Sequence, residues 1–122
     1  MDTRGFNLAW IVVADIKQAI NFYTKTLGLT LHEFDEKYAW AELSGPEGAI
    51  LAITQENPEF NMKAGTNAVV TITVTDIQQA RDELSKKGAK LVGDIMEVPG
   101  EVKLQTLMDA DGNLLQLAQK LR

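Results

Sequence analysis

The chain is written twice. VVADIKQAINFYTKTLGLTL, Val12 to Leu31, aligns with TVTDIQQARDELSKKGAKL, Thr73 to Leu91, after one deletion. In each copy an apolar run ends at an aspartate followed by isoleucine, and a glutamine–alanine pair comes next. Further on, GAILAI (Gly48 to Ile53) aligns with GNLLQL (Gly112 to Leu117) at nearly the same offset. A stacked solenoid needs about three repeats or more, so two copies point to a two-module domain. The chain's 122 residues suit one domain. The modules are expected at 6–55 and 67–120, joined by a polar linker over 55–66 that contains Pro58.

Each copy reads as strand, helix and three further strands. Leu8 to Ala14 and Ala68 to Thr75 are rich in Val, Ile, Ala and Thr and suit strands. Asp15 then stands at a helix N-cap with Gln18 three positions on, and Asp76 with Gln79 repeats the pattern. Ile16, Ala19, Ile20, Tyr23 and Leu27 mark one helical stripe; Ile77, Ala80 and Leu84 mark the other. Phe22 and Tyr23 follow this stripe and read as packing residues. Gly28 and Gly88 fall where a helix ends in a left-handed cap. Shorter strands are expected at Thr30 to Phe34, Tyr38 to Leu43, Ala49 to Thr54, Lys90 to Val92, Lys103 to Met108 and Leu114 to Ala118. The fold class is therefore α+β: two βαβββ modules whose mixed sheet carries its helices on one face and leaves the other open.

DADGNLLQL, Asp109 to Leu117, has the look of a calcium loop but lacks its donors. An EF-hand needs a third oxygen ligand before its glycine and a glutamate six residues after it. Here Gly112 follows Asp111 at once and the sixth residue beyond is Ala118. Asp109, Asp111, Gly112 and Asn113 are turn formers between two strands.

Seventeen acidic against twelve basic residues give a net charge of −5, which argues against nucleic-acid or anionic-membrane partners and favours a neutral or cationic ligand. With no cysteine, disulfides, thiolate metal sites and cysteine nucleophiles are excluded. Phosphate-binding glycine loops of the GxGxxG or GxxxxGK[ST] type are absent. A Ser-His-Asp triad would have to recruit His32 with Ser44 or Ser85, none in a nucleophile-elbow context. No leader pattern or apolar run of about 18 residues is present, and a cytoplasmic protein without membrane contact is expected.

The repeat, the AD-I…A..FY…LG run of Ala14 to Gly28 and DADGN..QL near the end resemble the vicinal oxygen chelate superfamily: glyoxalase I, ring-cleaving dioxygenases, bleomycin- and fosfomycin-resistance proteins. The resemblance spans almost the whole chain. It implies that metal-dependent relatives draw two ligands, usually His, Glu or Gln, from each module. The matching positions here are Leu8, Ala52, Val69 and Gln116. Three of these side chains have no donor atom, and one amide does not hold a divalent metal, so no metal or other cofactor is expected. The only histidine, His32, lies far from these positions and reads as an edge-strand residue.

Strand alternation places Leu8, Trp10 and Val12 on the open face, with Tyr38, Trp40 and Glu42 from the third strand. Thr71, Leu114 and Gln116 follow from the second module. Apolar walls with few polar groups suit a small molecule, and indoles beside a carboxylate suit an aromatic or cationic one. The expected ligand-binding set is Trp10, Tyr38, Trp40, Glu42, Thr71 and Gln116. Two functions remain open. One is a non-enzymatic binder like the bleomycin-resistance proteins. The other is a glyoxalase-type lyase or dioxygenase-like enzyme with a displaced or metal-independent site, in which Glu42 and Gln116 would act. By the resemblance, a homodimer is expected.

Overall fold

The computed structural model describes residues 2, 4, 8–60, 62–65 and 69–122. The first module runs β1 (Ala9–Val13), α1 (Ile16–Asn21), β2 (Thr30–Asp35), β3 (Trp40–Ser44) and β4 (Leu51–Gln55). A short 3-10 turn (Pro58–Phe60) follows. The second module runs β5 (Val70–Thr73), α2 (Ile77–Lys86), β6 (Lys90–Val98), β7 (Val102–Met108) and β8 (Leu114–Lys120). The expected strand start at Ala68 and the module limits at 6, 66 and 67 lie outside the described residues.

Two four-stranded mixed sheets result, ordered β1-β4-β3-β2 and β5-β8-β7-β6. In each, the strand before the helix lies parallel to the last strand of its module, and the remaining pairs are antiparallel. This is the α+β arrangement of duplicated βαβββ modules read from the repeat. No helix among the described residues is long and apolar enough to cross a membrane.

Local chemistry fixes the helix ends. Asp15 accepts from the amides of Lys17 and Gln18, and Asp76 from that of Gln79. Neither Gln18 nor Gln79 closes the box back onto its cap. Instead the first helical amides go to the ends of the neighbouring strands: Ile16 N–H to Gln55 Oε1 (3.1 Å) and Ile77 N–H to Gln119 Oε1 (2.8 Å). The duplication thus extends to a glutamine at the end of each module's last strand. Gly28 (φ 80°) and Gly88 (φ 78°) adopt the left-handed conformation that stops each helix. Between Asn21 and Leu27, α1 widens into a π-helical turn, where Thr24 Oγ1 donates to the Ile20 carbonyl.

The helices cover one face of the sheets. Ile11, Val13, Ala41, Leu43, Leu51 and Ile53 pack under Ile16, Ala19 and Tyr23 of the first module. Leu107, Leu115 and Leu117 do the same under Ile77 and Leu84, and the two groups form one continuous core.

Among the described residues no strands pair across the modules; side chains and the β7–β8 turn join them. Tyr23, fully buried, donates its phenol to Asp109 Oδ2 at 3.0 Å. Asn113 Nδ2 donates to the same oxygen (2.8 Å) and to the carbonyl of Val12 (3.2 Å). Asp109 Oδ1 takes the amides of Asp111 and Asn113, both at 2.9 Å. The stretch that looked like a calcium loop is a turn whose aspartate receives donors from both modules.

Candidate functional site

The face opposite α1 is built from alternate residues of β1, β4 and β3. Register sets Trp10 beside Ala52 and Ala52 beside Glu42. In the next row Val12 neighbours Thr54 and Thr54 neighbours Trp40. The two indoles therefore stand diagonally across β4, with centroids 6.2 Å apart and planes tilted by 49°, a favourable aromatic separation. Beneath them Val12, Ala52 and Thr54 are buried although they point away from the helix. Small residues on β4 leave room for the rings to lie over the sheet. Trp10 remains 46% exposed, so part of this aromatic surface meets solvent.

Trp40 Nε1 donates to Glu42 Oε2 at 2.9 Å, which fixes the ring and carboxylate relative to each other. Glu42 is half-buried, and Glu33 and Asp35 of β2 lie across from Glu42 and Trp40. This edge of the face is acidic.

Tyr38 is not where alternation put it. The strand was expected to begin at Tyr38 but begins at Trp40, because Ala39 adopts a left-handed backbone (φ 50°). That residue breaks the two-residue period, and Tyr38, 69% exposed, leaves the sheet. It lines a hollow of about 370 Å³ together with Lys37, Thr54, Glu56, Asn57 and Met62.

Thr71 and Gln116 are neighbours on the second sheet, Thr71 Oγ1 donating to Gln116 Oε1 at a long 3.5 Å. The structure thus brings Trp10, Trp40 and Glu42 into one cluster and Thr71 and Gln116 into another. Around the latter the open face is apolar: Val69, Val92, Met96, Val98 and Leu114 are all exposed. Lys90 and Lys120 share this face at its ends.

The metal-ligand positions implied by the resemblance do not fit a metal. Ala52 is buried beneath the indoles, Leu8 and Val69 offer only hydrocarbon, and the Gln116 amide oxygen faces the Thr71 hydroxyl. Among the described residues no three His, Cys, Asp or Glu side chains converge. His32 sits at a bulge of the edge strand β2, between Leu31 and Glu33, where it reaches Ser44 Oγ and stays exposed.

Two features escaped the sequence reading. Gln105, fully buried, donates to the carbonyls of Gly93 (3.1 Å) and Thr106 (2.8 Å) and accepts from Arg81. It sits at a bulge in β6 between Val92 and Met96, beyond which renewed pairing with β7 carries that strand on to Val98. The second feature is the acidic junction. The Asp111 carboxyl is raised from its ordinary value, first by burial and then by the charges of Asp109, Glu56 and Asp15, against the amide of Ala14. Burial, then Asp109 and Asp111, push the Tyr23 phenol far up, so it stays a hydrogen-bond donor.

The chain is 30% identical over 121 residues to "Uncharacterized protein YurT" of Bacillus subtilis (strain 168), covering 90% of this chain and 94% of that one. Its fold matches that of TnmS3, described as an antibiotic binding protein from Streptomyces sp. CB03234, with a TM-score of 0.82, 21% identity and 98% of each chain covered. It also matches the fosfomycin resistance protein FosX of Listeria monocytogenes, solved with Mn(II) and sulfate, at a TM-score of 0.75 and 13% identity, over 98% of this chain and 92% of that one. At these identities the structures establish the fold alone. The family model described as Glyoxalase/Bleomycin resistance protein/Dioxygenase superfamily matches residues 5–117, and with the duplicated βαβββ fold this shows that the chain belongs to that superfamily.

Proposed function

We propose that the protein binds a small aromatic or cationic compound on the open face of its first sheet without using a metal. The observation that carries this reading is the Trp10–Trp40 pair with Glu42 hydrogen-bonded to the inner indole. Two indole faces offer a large rigid apolar surface, and a carboxylate beside them favours a positive charge. The neighbouring Glu33 and Asp35 act in the same direction. Ala52 and Val69, where metal-binding relatives carry ligands, leave hydrocarbon in place of donors. Likeness to an antibiotic binding protein agrees with this reading.

The same reading extends to a homodimer. The exposed apolar face of the second sheet, with lysines at its ends, complements the aromatic and acidic face of the first. A contiguous apolar surface of this kind is uncommon on a monomer. Pairing the first sheet of one copy with the second sheet of another would bring Thr71 and Gln116 opposite the tryptophans and complete the site.

Titration of a library of planar amines against intrinsic tryptophan fluorescence tests the proposal. Saturable quenching that weakens in Trp40→Ala is expected; a folded protein quenched by none of them overturns it. Stoichiometric Zn, Ni, Mn or Fe in protein purified without chelators would overturn the metal-free part and favour the enzyme. Sedimentation of wild type against Met96→Asp tests the dimer, since a charge at this exposed position would dissociate it.

A further inference from the structure

The hollow beside Tyr38 begins where the tryptophan face ends. Thr54, in its wall, is the cross-strand neighbour of Trp40. A left-handed alanine is an unusual device for shaping it, since residues other than glycine, asparagine and aspartate rarely adopt this conformation. At Ala39 it is pinned: the carbonyl accepts from Thr54 Oγ1 (3.0 Å) and from the amide of Gln55 (3.2 Å). The consequence is that Tyr38 is thrown out of β3 and its ring becomes a wall. Retained backbone strain of this kind points toward a site.

The lining has the chemistry of a binding subsite. Tyr38 and Met62 are apolar, while the Glu56 carboxylate and the Asn57 amide are polar. Glu56 lies close enough to Asp111 to affect its proton, and Asp15 stands on the same junction. Lys37, which also lines the hollow, holds its ammonium 5.4 Å from the Tyr38 ring centroid, a cation–π position that a ligand amine would take over as the lysine swings out to solvent. A volume of about 370 Å³ is at the small end of the range for ligand pockets, which suits one arm of a larger compound.

We infer that this hollow is the second half of the ligand site and takes the amine-bearing, hydrogen-bonding arm of a compound whose planar part lies on Trp10 and Trp40. The inference rests on the tryptophan-face reading and adds to it the class of ligand: a flat body carrying a flexible polar amine. Tyr38 would stack against the ammonium and Glu56 would accept its hydrogen bond.

The test uses doxorubicin, an anthracycline with an amino-sugar arm, and its aglycone doxorubicinone, each followed by fluorescence anisotropy of the chromophore. Doxorubicin is expected to bind wild type roughly tenfold more tightly than the aglycone, the size of effect a partly desolvated cation–π contact supports. In Tyr38→Ala the advantage should vanish, and in Glu56→Gln it should shrink severalfold, with aglycone affinity unchanged in both. Tyr38 is exposed and Gln can still accept the Ala64 amide that Glu56 holds, so both variants should keep the fold, which circular dichroism checks. Equal binding of both probes by wild type, or an advantage that survives Tyr38→Ala, overturns the subsite and leaves the tryptophan reading standing. Binding of neither probe by folded protein overturns both.

Discussion

Tyr23 and Asp109 meet across the junction of the two modules, 86 residues apart in sequence, through one buried 3.0 Å hydrogen bond. The aspartate is the hub of its own turn, and the tyrosine lies in the π-helical turn that ends α1. Because no strand ladder links the sheets among the described residues, this bond and the Asn113 contact to Val12 help set how one module sits against the other. Trp10 lies on the same strand as Val12, so the junction also positions the proposed site.

Tyr23→Phe is expected to lower unfolding stability by about 1–3 kcal/mol, the cost of leaving a buried charged acceptor short of a donor. Asp109→Ala should cost more, because it also strips the turn amides and the Asn113 side chain of their acceptor. Urea midpoints of both single variants and the double variant should show strong non-additivity. Additive effects would mean the bond contributes nothing of its own.

Gly65 approaches the same turn from the linker. Its φ is +104°, and a Cβ there would lie 2.6 Å from the carbonyl oxygen of Asp111. Gly65→Ala combines an unfavourable backbone with a collision against main chain, and a loss of about 2 kcal/mol or more is expected. Thermal unfolding checks it. Gly48→Ala, with a positive φ of +92° but open space around it, should cost less.

Asp111 predicts a pH effect of definite sign. Its carboxyl is raised in the folded state, so protonation stabilises the fold; that gain is complete below the unfolded-state pKa and lost as pH rises through the raised value. Asp111→Asn removes this loss while an amide oxygen can still accept from Ala14. The variant should therefore match wild type in mild acid and exceed it at neutral pH, by less than about 1 kcal/mol given partial exposure. Denaturant titrations across pH 4 to 7.5, roughly the range over which carboxylates with raised pKa values titrate, decide it. A variant less stable at neutral pH would contradict it.

The duplication was legible because it repeats elements with sharp local signals: aspartate caps, stop glycines and apolar runs. Even so, Gln55 falls by sequence at the start of the polar linker, although Gln119 mirrors it at the offset of Gly48 and Gly112. Aligning the copies one turn further would have shown that each glutamine serves a helix N-terminus. Asp35 marks the turn between β2 and β3, and its carboxylate takes the Tyr38 amide, but nothing in DEKYAW signals the left-handed backbone at Ala39, whose carbonyl is held by Thr54 and Gln55 from β4. Likewise the β6 bulge depends on Arg81 and Gln105, which are remote in sequence. Trp10, Trp40 and Glu42 converge as strand alternation suggested, because regular β1 and β3 keep the period, while Tyr38 lies beyond the point where it fails.

Glu42 separates a charge-based site from a merely aromatic one. The Trp40 indole N–H needs an acceptor, and the amide oxygen of Glu42→Gln can supply it, so the ring geometry and the tryptophan emission maximum should stay unchanged. What changes is charge. A planar cation such as proflavine should bind the variant several-fold to about tenfold more weakly, the worth of one charge at a partly exposed site. An uncharged planar compound such as anthraquinone should bind both proteins alike. Raising salt from 50 to 500 mM, which shortens the screening length to about 4 Å, should shrink the difference for the cation. If Glu42→Gln weakens both compounds equally, the carboxylate acts by holding Trp40 in place and not by attracting the ligand.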